Sequence, residues 1–217
     1  TMQTLPDYSC SPYVELNGNQ PDFDESQFNT QSYEFYTQLD QLGRCGACYA
    51  NIGQDLMATE KRECISSVHP SGWMQAQYDC VEGKKLYNRC HLIGFQLTGE
   101  NANDHNLITG TRYLNTEGML PFEDQVAEYV KTTDHHVLYR VTPDFHGSEL
   151  VARGVEMEAA TMCSPVLPLI TQREKAGCQT AQPRAKRQRI HRRYRKAMCS
   201  TRGIRNFICP PAPAWRI

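Results

Sequence analysis

His91 follows Arg89 by two positions, Asn106 and Asn115 lie nine apart, and Glu123 comes eight after Asn115. These residue types supply the parts needed to hydrolyse a phosphodiester. Those parts are an activated water, a cation for the charge developing on the leaving oxygen, and donors for the phosphoryl oxygens. A neutral imidazole is matched to neutral pH, so His91 suits a general base. Asn115 offers a hard carboxamide oxygen of the kind Mg²⁺ takes, an ion that keeps most of its waters and uses few protein ligands. Arg89 and Arg112 carry planar forks that fit phosphate oxygens. Glu123 can hold a metal-bound water or orient a neighbour. Plainer roles stand beside each of these. A lone histidine is usually a satisfied structural residue, and an asparagine ahead of a helix can serve only as its cap. Asn106 can be a turn residue, and Arg112 and Glu123 can be exposed charges beside a helix.

The elements around these residues follow from periodicity and turn signals. Gly43 and Gly53 bracket a strand over Arg44–Ile52, and Pro70-Ser71-Gly72 marks a turn before a strand at Trp73–Tyr78. Leu86–Leu97 reads as extended, Asn101–His105 as a polar loop and Asn106–Tyr113 as a second strand. Pro121 sits where a first-turn proline belongs, and Phe122, Val126, Tyr129 and Val130 then recur at helical spacing to about Thr132. Val137, Tyr139 and Val141 alternate, as do Leu150, Ala152 and Gly154, which predicts two antiparallel strands joined through Pro143–Gly147. The fold class is therefore α+β, with an antiparallel sheet. A short strand is expected at Tyr13–Leu16 within an otherwise extended, polar lead-in over residues 1–40.

Asn88-Arg89-Cys90-His91, the Asn106/Asn115 pair and Glu123, set in a hairpin-then-helix order, resemble the ββα-metal (His-Me finger) site of the DNA/RNA non-specific endonucleases. In that family the first motif is usually Asp-Arg-Gly-His, with two asparagines nine apart and a glutamate eight later. The 24 residues from His91 to Asn115 are similar to the streptococcal-type secreted, surface and DNA-entry nucleases. The likeness extends over roughly residues 10–158, including ELNGNQP, LGRCGACYANIG, PSGW and HHVLYRVTP. It implies a nuclease domain at 41–158 that cuts DNA, and RNA as the alternative substrate, leaving 5′-phosphates. Mg²⁺ is the implied cofactor, with Mn²⁺ as a substitute, and the implied setting is secreted or at the cell surface. His91, Arg89 and Glu123 become the implied catalytic residues, Asn115 the metal ligand, and Asn88, Asn106 and Arg112 the substrate-binding or orienting residues. Two departures stand out. Asn88 replaces the usual Asp, and Cys90 replaces Gly, which puts a side chain beside the catalytic strand.

Charge is split along the chain. Residues 159–217 hold 13 Lys/Arg and one acidic residue, whereas the first 158 hold 10 basic and 23 acidic side chains. An acidic body must still meet a polyanion, so Lys84, Lys85, Arg89, Arg112 and Arg140 are expected to cluster, with binding that weakens as salt rises. After Glu158 the resemblance stops, and the tail shows neither strand nor helix period. Back-translated and read from the third base of each codon, with permitted codon choices, it resembles the family's closing strand and a Cys/His ending. A deletion after Ala159 that shifts the frame would produce this tail, which is expected to be disordered and to leave the last family strand or strands missing.

A non-catalytic nucleic-acid-binding protein using the basic tail, or an inactive truncated nuclease, are the rival readings. Cys45-Gly-Ala-Cys48 is read as ordinary strand cysteines, because no second pair follows at zinc-site spacing. His69, His105, His135 and His136 receive no role. No apolar run reaches the 18 residues of a membrane span. The start at Thr1-Met2, without a signal-peptide core, is expected to be processed or a fragment edge.

Overall fold

Alternating apolar residues put one face of each strand of an antiparallel sheet into a common core. In the computed structural model, residues 11–79, 81–162 and the backbone of 170–173 are described. In chain order the elements of the main body are β1 (Tyr33–Tyr36), β2 (Cys48–Ile52), β3 (Tyr87–His91), a short α1 (Phe95–Thr98) and β4 (Leu107–Thr111). A π turn (Leu114–Met119), α2 (Leu120–Thr132), β5 (Val137–Asp144), β6 (Gly154–Ala160) and β7 (Ile170–Arg173) complete it. One sheet has the order β1-β2-β5-β6-β7 and a second pairs β3 with β4. Every pairing is antiparallel.

The register explains the core. Ala50 pairs with Tyr139 and Tyr139 with Ala159, while Cys48 pairs with Val141 and Val141 with Met157. Strand residues two apart share a face, so these rows form one apolar surface. They join a single buried cluster with Phe122, Val126, Ala127 and Val130 of α2 and with Cys90 and Ile108 of the β3–β4 hairpin. The large Tyr139 ring fits because an alanine flanks it on both neighbouring strands. Hairpin and helix are thus packed on the sheet as one ββα unit, each fully buried aliphatic side chain contributing about 1.5–3 kcal/mol relative to exposure.

Several expectations need correcting. β1 is a full member of the sheet, so the body begins before residue 41. Tyr13–Leu16 forms no strand and is followed by a 3₁₀ turn at Asn17–Asn19. The Arg44–Ile52 strand starts only at Cys48. Trp73–Tyr78 is not a strand; among the described residues it pairs through one isolated bridge, from Gln77 to Lys85, inside a separate compact unit that includes Gln75–Leu86. The extended segment predicted to Leu97 ends at His91, and α1 follows. Pro143 lies inside β5, and the partner strand begins at Gly154 instead of Leu150. Beyond residue 158, β6 continues to Ala160, and β7 pairs with its first four residues, an element not expected in the tail. The expectations of disorder and of a shifted frame otherwise fall on residues 163–169 and 174–217, outside the described residues.

Candidate active site

β3 ends at His91, and the chain is held in place there by backbone and side-chain bonds. Leu92 N–H donates to the Asn106 carbonyl at 2.8 Å. The Asn106 carboxamide, fully buried, accepts from Ile93 N–H at 2.8 Å and donates to the Ile93 carbonyl at 3.0 Å. Both ends of Asn106 are therefore committed to fixing the backbone just after His91. The two CxxC thiols support the same loop: Cys45 bonds to the carbonyls of Asp104 and Leu107, and Cys48 to that of His105. Burial pushes the Cys45 thiol up to about 12 and Cys48 higher still, so both behave as inert donors.

His91 is only 5% exposed, and its two ring nitrogens have different partners. Nε2 lies 2.7 Å from the Asn101 carbonyl, and Nδ1 lies 3.2 Å from the Arg62 guanidinium. A carbonyl can only accept and a guanidinium can only donate. The ring is therefore the neutral tautomer with its proton on Nε2 and its lone pair on Nδ1. Burial lowers the His91 pKa to about 4; the Asn101 carbonyl opposes this and the positive charge of Arg62 adds to it. At neutral pH the imidazole is an unprotonated, oriented base.

After β4 the chain enters a continuous helical stretch through the π turn into α2. Asn115 is the second residue of that turn, and its carbonyl accepts from the N–H of Leu120, five residues on. Its side chain is half-buried and makes no hydrogen bond among the described residues. Glu123 occupies the first turn of α2, with Pro121 two residues ahead. Its carboxylate lies over Gly94: a Cβ built there would meet Oε2 at 2.7 Å. Burial raises the Glu123 pKa to about 8, Asp124 raises it further and Arg62 lowers it. Arg62 thus acts electrostatically on both His91 and Glu123.

Arg89 faces the same side of β3 as His91 but spends its fork elsewhere. It donates to the Val68 carbonyl and, at 2.8 Å, to the Ser66 carbonyl, and it stacks 3.9 Å from the centroid of Trp73. Asn88 sits on the opposite face of the strand, paired with Gly110, and strand alternation turns it away from His91. Cys90 points into the core, and the missing side chain of Gly110 makes room for it, since a Cβ there would lie 2.7 Å from the sulfur. Arg112 follows β4 directly and is half-buried; its carbonyl accepts from Thr116 Oγ1 at 3.0 Å. Arg140 is drawn to the sheet surface by Glu158, against Phe23. Arg62 was not found from the sequence, because it stands in an exposed, motif-free segment and only the fold carries it to His91.

The donor set agrees with a weakly ligated, hydrated divalent cation. Among the described residues no three His, Cys, Asp or Glu side chains gather as a metal cage. An oxygen donor with no other partner among the described residues, Asn115, instead precedes a half-buried carboxyl on the same helical stretch. Mg²⁺ bound through one or two oxygens and its own waters fits that arrangement.

A family model for the DNA/RNA non-specific endonuclease matches residues 25–163, more than half of the chain. The chain belongs to that family. Among solved structures, NucA from Streptococcus agalactiae with magnesium ion bound superposes with a TM-score of 0.67 at 21% identity, covering 79% of this chain and 84% of that one. The Sda1 nuclease with bound zinc ion superposes at 0.62 with 23% identity, covering 76% and 90%. These likenesses carry the α+β fold. A Streptococcus dysgalactiae subsp. equisimilis protein named "Deoxyribonuclease" is 26% identical over 60% of this chain and 52% of its own length. The chain thus spans about half the length of that curated relative. No helix among the described residues is long and apolar enough to cross a membrane.

Proposed function

We propose that the chain is a divalent-metal-dependent endonuclease that hydrolyses DNA, and RNA as a second substrate, without sequence preference. The observation that carries this reading is His91: a buried, neutral base with a fixed tautomer whose lone pair faces a guanidinium. Asn115 would hold the cation through its carboxamide oxygen, with Glu123 accepting from the cation's waters. Once bound, the cation supplies charge neutralisation at the leaving 3′-oxygen.

The protein's own residues carry the remaining steps. Arg62 transfers its guanidinium from Nδ1 to a phosphate oxygen of the incoming strand, which frees the lone pair. His91 then takes a proton from the attacking water at Nδ1, while the Asn101 carbonyl holds Nε2–H and stabilises the imidazolium. Asn106 keeps this ring in register through Ile93. Contacts of this kind read phosphate and not base edges, so cleavage is indifferent to sequence. Magnesium, with manganese as a substitute, suits the donor set, and the relatives with magnesium or zinc bound support use of a divalent ion. The relative named as a deoxyribonuclease supports DNA as the substrate. Secretion or surface display belongs to the same reading and rests on the resemblance to streptococcal-type nucleases.

Supercoiled plasmid incubated with magnesium should be nicked, linearised and degraded. His91→Ala should lower the rate by about 10²–10⁴-fold, and chelation should abolish cleavage. Equal rates for wild type and His91→Ala, or cleavage that survives chelation, would refute the reading.

A further inference from the structure

The segment from Thr59 to His69 brings Arg62 to the active site, yet it buries little of itself. Most of its residues are exposed, and only Ile65 and Val68 are partly covered. Burial therefore contributes little to holding it. Among the described residues, its hydrogen bonds to the rest of the fold come from two side chains on β3. His91 meets Arg62 at 3.2 Å, and Arg89 bonds the carbonyls of Val68 and, at 2.8 Å, Ser66. The far end of the segment is fixed by the same guanidinium, which lies 3.9 Å over the ring of Trp73.

We infer that Arg89 is a positioning residue that works through Arg62. Its guanidinium clamps the 59–69 segment against Trp73, so that Arg62 is delivered to His91 and to the substrate phosphate. This inference rests on the nuclease reading above and replaces a phosphate-contacting role for Arg89 with one in the loop. Arg89 and His91 are two residues apart on one face of a strand paired residue by residue with β4. One rigid element therefore sets both the base and the anchor of the segment that serves it. The chemistry of the clamp needs arginine. Two parallel donors reach two carbonyls while the flat face stacks on indole, and the compact ammonium of a lysine cannot do all three. Arg89 would have to abandon both carbonyls to turn its full fork on a phosphate.

A double-mutant cycle separates the two roles. Arg89→Lys, Arg62→Ala and the double variant are compared for kcat/KM on duplex DNA with magnesium and for DNA affinity across a salt series. Displacing Arg62 should cost Arg89→Lys about 10²-fold in kcat/KM. In the Arg62→Ala background the same change should cost less than about twofold, because residues acting as one unit are not additive. The slope of log affinity against log salt should shrink by about one in Arg62→Ala and fall no further in the double variant. Trp73→Phe, which keeps a stacking ring of smaller area, should show the same epistasis with Arg62→Ala in weaker form.

Limited proteolysis of metal-free protein with a glutamate-specific protease gives a reading independent of catalysis: cleavage after the exposed Glu60 and Glu63 should be faster in Arg89→Lys than in wild type, and accelerated more than in Arg62→Ala, which loses one tether and keeps the clamp. Multiplicative losses in the cycle, or a salt slope that falls further in the double variant than in Arg62→Ala, would give Arg89 a role independent of Arg62 and overturn the inference. Unchanged cleavage after Glu60 and Glu63 in Arg89→Lys would overturn it as well. Wild-type protein that fails to cleave DNA at all refutes the nuclease reading instead, and the proteolysis experiment still decides the clamp.

Discussion

Replacing Glu123 by Gln asks whether the carboxyl over Gly94 stays neutral in the folded, metal-free protein. Burial moves its ionisation from an ordinary 4.5 to about 8. Below both values the carboxyl is protonated in folded and unfolded chains alike, and pH has no leverage through it. Between them the unfolded chain gives up its proton while the folded chain keeps it. The unfolded state is then favoured, and stability falls as pH rises until the folded pKa is passed. At about 1.4 kcal/mol per pH unit, the loss amounts to about 2–3 kcal/mol between pH 5 and 7 and about 4 kcal/mol by pH 9. Gln is neutral throughout and carries no such loss. Urea unfolding in EDTA at pH 5, 7 and 9 should therefore show Glu123→Gln gaining on wild type by those amounts. Magnesium added at pH 7 should stabilise wild type more than Glu123→Gln, because a cation favours the ionised carboxylate. Stability curves for the two proteins that run parallel in pH would mean that Glu123 ionises normally in the fold, and the argument would fail.

Asn106→Ala removes a buried carboxamide with two backbone partners at Ile93; it should cost about 2–3 kcal/mol in urea unfolding and lower cleavage by misplacing His91. A loss below about 0.5 kcal/mol would show that Asn106 does not hold the chain there. Arg62→Ala removes a positive neighbour from a ring whose pKa lies near 4, so an NMR titration should show His91 moving upward while burial still keeps it below 6.5. A downward or absent shift would mean that Arg62 does not face Nδ1 in solution.

The ββα order and the α+β class were legible because both depend on local signals. The strand at β3, the strand at β4 and the apolar stripe of α2 each announce themselves by period. The parts of the site that were not legible depend on long-range contacts. Arg62 lies 29 residues before His91 in a segment without pattern, and its role appears only once the two are 3.2 Å apart. Gly94 reads as an ordinary turn glycine until the Glu123 carboxylate is seen above it. Cys90 looked intrusive beside the catalytic strand. Its compensation is Gly110 on the paired strand, 20 residues away in sequence. The type of Arg89 suggests a phosphate fork; the fold spends that fork on the carbonyls of Val68 and Ser66, a choice that composition does not encode.

The spacing of Asn115 and Glu123 has a physical reason that a straight helix would contradict. At 3.6 residues per turn, eight residues leave two side chains roughly 80° apart around the axis, on different faces. The π turn changes that count. Leu120 N–H bonds to the carbonyl of Asn115, five residues back, so one residue is absorbed without advancing the turn. The offset then falls to roughly 20°, and the carboxamide and the carboxyl share a face. Pro121 explains why the widening occurs there: it has no N–H to give, and its ring collides with the carbonyl four residues back, at Glu117. A regular α-turn is denied at that place, and Gly118, buried inside the π turn, presents no side chain to the crowded interior. The proline two residues before the glutamate and the eight-residue interval are therefore one device, which turns an interval unsuited to an α-helix into one that puts a carboxamide and a carboxyl on the same helical face.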